Sequence, residues 1–138
     1  MAESARNRPH PHDSGSETVS MAVVFPVALA VVLGIVQGGL LWDARNALLE
    51  AAQAGVTAGR VVHGTSADAE EAALSYLNRA ASDDVTAPGV SAHRGVDTIM
   101  VTTTGTAQKL LPIPGIELRI RVGSSAPVER FSIAGSSP

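Results

Sequence analysis

The sequence predicts an α+β protein, in which a long N-terminal transmembrane helix extends into a small domain with a second helix and a short antiparallel sheet. Three observations carry this. An uncharged apolar run covers Thr18–Trp42, apolar residues recur at helical spacing from Ala69 to Ala80, and the period changes to two beyond Gly89. The expected divisions are a disordered cytoplasmic tail over 1–15, a long helix over 16–64 with its membrane part at 18–42, and an extracytoplasmic α+β domain over 65–138.

The tail is polar and rich in Pro and Ser, a composition that cannot bury enough apolar surface to order itself. Within Met21–Trp42 the single strongly polar side chain is Gln37. About 25 uncharged residues at ~1.5 Å each make roughly 37 Å of helix, enough to cross a ~30 Å hydrocarbon core with some tilt. A cleaved secretory signal would require a shorter apolar run. Its small-residue site, Ala52-Gln53-Ala54, is also separated from the run by Asp43, Arg45 and Glu50. A soluble core helix of this length would outrun what the other segments can cover. Arg6 and Arg8 precede the span against Glu3 and Asp13, a slight bias toward a cytoplasmic N-terminus.

Pro26 removes one helical hydrogen bond near the start of the span and predicts a kink, although membrane helices tolerate proline. Gly34 and Gly38 form a GxxxG, which lets two helix backbones approach closely. The helical pattern runs on through Asp43–Val62, where Ala47, Ala51, Gly55 and Gly59 make a ridge of small residues. That ridge can pack on the chain's own outer domain or on neighbouring helices. The helix is expected to end near His63-Gly64, with Gly64 as its cap.

Ser66 opens the second helix and can cap its first turn. Asp68, Glu70 and Glu71 suit the N-terminal dipole, and Arg79 suits the last turn. Asp83–Gly89 reads as a turn, Val90–His93 as a short strand and Asp97–Thr104 as a second strand. Ile116–Val122 alternates, with Ile116, Leu118, Ile120 and Val122 on one face and Glu117, Arg119 and Arg121 on the other. Lys109–Gly115 is a proline-punctuated loop whose Leu110, Leu111 and Ile113 either fold back or offer a small apolar contact. Pro127–Phe131 continues the last strand.

A net charge of -3, with basic residues scattered singly, argues against a nucleic-acid partner. Cysteine is absent, so no disulfide or thiolate metal site exists, and 3% aromatics supply few anchors for a small-molecule substrate. His63 and His93 are isolated, no GxSxG elbow or phosphate loop occurs, and Asp83-Asp84 reads as a solvated turn. No catalytic, metal or cofactor residues are expected.

An N-terminal membrane helix that follows a polar segment and continues into a small α+β domain resembles type IV pilins. The residues are similar to those of TadE-like minor pseudopilins of the Tad/Flp pilus system. The stretches that carry the likeness are Gly15-Ser16, Val19, Ala22–Pro26, Asp43–Leu48, Ala51-Ala52, Gly55, Gly59-Arg60 and Ser125–Phe131. The resemblance implies cleavage by a prepilin peptidase between Gly15 and Ser16, and assembly with other pilins or pseudopilins of the same apparatus. The family places Glu at the fifth mature position. Here that residue is Ser20, followed by Met21, which fits a minor, tip or basal component or an uncleaved membrane protein of the apparatus. The expected function is that of a non-enzymatic, single-pass subunit in the cell (inner or cytoplasmic) membrane that serves Tad pilus or secretion assembly. The alternative is a membrane-tethered extracytoplasmic binding module unrelated to pili.

Overall fold

A computed structural model describes residues 14–110 and 117–130, with side chains from Ser20 onward. Most of the expected tail, the greater part of the proline loop, and Phe131 lie outside these residues. The elements are α1 (Ser14–Gly59), α2 (Ser66–Ala80), β1 (Val85–Arg94), β2 (Thr98–Ala107) and β3 (Arg119–Pro127). This is the α+β order that the change of period predicts. The chain divides into two units, Met1–Ile35 and Val36–Pro138. In the first, everything described from residue 14 is helix.

In the second unit, α1 ends at Gly59 rather than near Gly64. The carbonyls that a longer helix would use internally have other partners. The Arg94 guanidinium donates to Gly59 O and, at 3.1 Å, to Val61 O, while the Glu129 N–H donates to Arg60 O at 2.9 Å. Gly64 closes the turn that follows. Its N–H donates to Val61 O at 2.9 Å, and a Cβ there would stand 2.8 Å from Ala58 O.

The cap of α2 is Thr65, not Ser66. The Asp68 N–H donates to Thr65 Oγ1 at 3.1 Å, and the Thr65 N–H donates to Asp68 Oδ2 at 2.8 Å, a reciprocal capping box. These bonds from the Thr65 side chain and backbone hold the Asp68 carboxyl below its ordinary 3.8, outweighing a small opposing effect of burial. Because the folded value is depressed, the contribution is complete above pH 3.8 and is lost as pH falls through the lowered value. Thr65→Ala is expected to weaken α2 by about 1 kcal/mol at neutral pH. Amide exchange over residues 66–70 should show the difference from wild type, and the difference should narrow in acid.

The sheet is an antiparallel meander in the order β1-β2-β3, with Val90 opposite Thr103 and Thr103 opposite Val122. Only Asp83-Asp84 of the expected Asp83–Gly89 turn remains outside the sheet, because β1 starts at Val85 and continues through a bulge between Thr86 and Gly89. Ala87 takes φ 50 within that bulge, and Pro88 falls where the ladder requires no N–H. β2 runs past Thr104 to Ala107. β3 begins at Arg119 rather than Ile116 and ends at Pro127. Beyond it Val128 N–H still bonds Asp97 O at 2.9 Å, and Arg60 pairs with Glu129 at 3.3 Å.

Ile99, Val101, Thr103, Gly105 and Ala107 point from β2 toward the helices and are buried. Leu48, Ala51 and Leu77 meet Val85 and Ala107 in one part of the core, while Ala52, Val56, Ala69 and Ala73 meet Ile99 and Val101 in the other. With so many alanines, this core gains by close approach of backbones rather than by large side chains.

Candidate functional site

The feature with no use inside the fold is the first half of α1. Every residue from Met21 to Val32 is exposed, and Ile35 remains 70% accessible. An uninterrupted apolar helical surface of this extent is covered by lipid or by partner helices. The helix is long and apolar enough over Ser20–Gly59 to cross a membrane, and its most apolar window is not buried by the chain itself. Pro26 lies inside it, and the helix continues on both sides. Gly15 and Ser16 fall in its first turn, ahead of the first described side chain.

The small residues divide into two groups. A Cβ built on Gly34 or on Gly38 meets nothing within 4 Å. Ala47 is half-buried beside the core, and Ala51 has no accessible surface. A Cβ on Gly55 would stand 2.6 Å from Ala69 O and 3.2 Å from Ala73 Cβ, and one on Gly59 would stand 2.8 Å from Ala69 Cβ. The Ala51–Gly59 part of the ridge is therefore occupied by α2 and β2 of the same chain. It leaves no face there for a partner helix, and the open small-residue surface is at Gly34 and Gly38.

Polar side chains fix the second half of α1 in place. Thr103, fully buried on β2, donates to Leu48 O at 2.8 Å. The Tyr76 hydroxyl on α2 donates to the Glu50 carboxylate, and this bond is the main cause that raises the phenol above its ordinary 10.0, with burial and the carboxylate's charge adding to it. Gln37, the polar exception in the apolar run, spends both ends of its amide on one stretch of backbone. Its Nε2 donates to Gln108 O at 3.0 Å, and its Oε1 accepts from Leu110 N–H at 2.9 Å.

Sequence reasoning identified Gln37 as unusual but could not give its partner, more than seventy residues away. It gave Thr103 and Arg94 no role at all, since neither departs from its neighbours in any pattern. Among the described residues no group of three His, Asp or Glu could hold a metal, and His63, in the turn after α1, and His93, on β1, are both exposed. Asp83 lends its backbone carbonyl to the Gln108 side chain.

These features make α1 a helix with two jobs, apolar and open at one end and built into a domain at the other. Residues 15–57 match the family model of TadE-like proteins. The chain carries a TadE-like helix. The match covers α1 from Gly15 almost to its end, while α2 and the sheet lie outside it, as does the Ser125–Phe131 stretch. No curated protein and no solved structure matches the chain.

Proposed function

We propose that the chain is a minor pseudopilin of a Tad-type pilus or secretion machine, a structural subunit without catalytic activity. Residues 1–15 serve as a cytoplasmic leader, the first half of the TadE-like helix spans the cell membrane, and residues 65–138 fold outside. Prepilin peptidase removes the leader after Gly15, so that Ser16 becomes the N-terminus. The mature helix then packs against other pilins or pseudopilins through its Gly34/Gly38 face.

The observation that carries this reading is the division of labour along α1. The family match falls on a helix whose apolar half is unused by its own fold. A mere anchor needs only length and hydrophobicity, whereas Gly34 and Gly38 also leave room for a second backbone. The test is the N-terminal residue of protein taken from native membranes, read by intact mass and terminal peptide sequencing. A start at Ser16 is expected. An intact Met1 end would remove the peptidase from the scheme and leave an uncleaved assembly factor.

A further inference from the structure

We infer that the chain touches the membrane a second time, with the backbone just after β2 lying in the outer leaflet against the flank of α1. The inference rests on the membrane-anchor reading of α1, and its site is Gln108–Leu110 clamped by Gln37.

Trp42 ends the uncharged run, is 61% exposed, and is followed at once by Asp43 and then Arg45. An amphipathic indole at such a boundary takes the headgroup level. Gln37 precedes it by five residues of continuous helix, so its amide lies about 7 Å further toward the bilayer centre. The Gln108 carbonyl and the Leu110 N–H are hydrogen-bonded to that amide, so their backbone shares its level. This falls within the roughly 5–10 Å that interfacial segments reach below the headgroups.

The chemistry agrees with that level. Non-helical backbone at membrane depth is tolerated only where protein meets its polar groups. A glutamine in an apolar run is likewise tolerated only where its amide is paired. Here each need answers the other, since one side-chain amide takes a carbonyl and an N–H of the same segment in the manner of a short β-bridge. Leu110 keeps 48% of its surface accessible, an apolar side chain facing outward at a level where lipid is the solvent. The outer domain is thereby held against the membrane at two points.

Trp42 is the single tryptophan, which makes the depth measurable by fluorescence in the full chain. The protein is reconstituted in phosphatidylcholine vesicles that carry bromine at shallow or deep acyl positions. Trp42 should be quenched best by the shallowest bromine. In the double variant Trp42→Phe, Leu110→Trp, the quenching maximum should move about 7 Å toward the bilayer centre, and adding Gln37→Ala should expose the new tryptophan to aqueous acrylamide. Retained amide protection over β2 in each variant shows that the fold is intact. Quenching of the new tryptophan by acrylamide alone, with Trp42 still quenched by lipid bromine, overturns the second contact and spares the anchor. Loss of lipid quenching at Trp42 itself overturns the anchor as well. A depth of the new tryptophan that Gln37→Ala leaves unchanged overturns the clamp.

Discussion

Gly55→Leu is expected to destabilise the outer domain strongly, while Gly38→Leu is expected to leave it intact. At Gly55 the first atom beyond the α-carbon already collides with a carbonyl, Ala69 O at 2.6 Å, and with Val101 Cγ1 at 3.1 Å. A carbonyl in the first turns of α2 cannot rotate away as a side chain can, so the whole helix must move. Overpacking of this kind costs about 1–3 kcal/mol and occasionally more, a large share of a total margin that begins at about 5 kcal/mol. At Gly38 an added Cβ meets nothing within 4 Å, and leucine is the better helix former, so stability should hold within about 0.5 kcal/mol. Hydrogen exchange over β2, with the full chain in lipid nanodiscs, separates the two. Should Gly55→Leu keep wild-type protection, the ridge would be open, and the two glycine pairs would have to be treated alike as partner surfaces. If protection is lost at Gly55 alone, assembly defects in Gly34 or Gly38 variants can be read as assembly defects rather than misfolding.

That contrast also shows how far the sequence could be read. Period alone identified the ridge from Ala47 to Gly59 but not what fills it. A matching signal was available, because Ala69 and Ala73 form a second small-residue ridge of the same spacing on α2. Two such ridges, on helices joined by a short turn, meet each other before they meet a stranger. The helix cap was legible too. Thr65 has an acid three residues on, whereas Ser66 has Ala69, so spacing favours Thr65. The early start of β1 was not legible, since Ala87-Pro88-Gly89 reads as a turn whether it ends a strand or bulges within one. The end of α1 was not legible either. It depends on Arg94 and Glu129, whose reach to Gly59 and Arg60 exists only once the sheet has formed.

A functional consequence follows from where these contacts fall. Arg60 meets Glu129, and Asp97 meets Arg130, so the strap after β3 ties the end of α1 to the β1–β2 turn. Both ion pairs are exposed, the Asp97–Arg130 pair more so, and each contributes at most about 1 kcal/mol. Their value is positional. The second half of α1 is fixed to the domain by hydrogen bonds at Gln37, Leu48 and Glu50 and by the cap at Gly59. A pull or twist delivered to that part of the helix is therefore passed to the sheet rather than absorbed by a hinge. For a subunit proposed to work by packing its helix into an assembly, that is the mechanical property required.

Leu48→Ala should produce the largest loss from a single truncation. Leu48 has no accessible surface, and it packs from α1 against Gly105 of β2. Its methyls already lie 3.4 and 3.7 Å from where a Cβ on Gly105 would be. The backbone on both sides is held, by the Thr103 bond to Leu48 O at 2.8 Å and by the β2 ladders, so the space cannot collapse easily. Such sites lose about 2–5 kcal/mol, which corresponds to roughly a 30-fold or greater fall in β2 amide protection. Thr103→Val, which preserves volume and leaves Leu48 O its helical partner, should cost only about 1 kcal/mol. Neither change touches the apolar run, so both variants should still resist alkaline extraction from membranes. The order matters more than either value. If Thr103→Val proved the more damaging, the hydrogen bond and not the packing would be what joins helix to sheet, and the alanine-rich core would be too weak to hold the domain on its membrane helix without it.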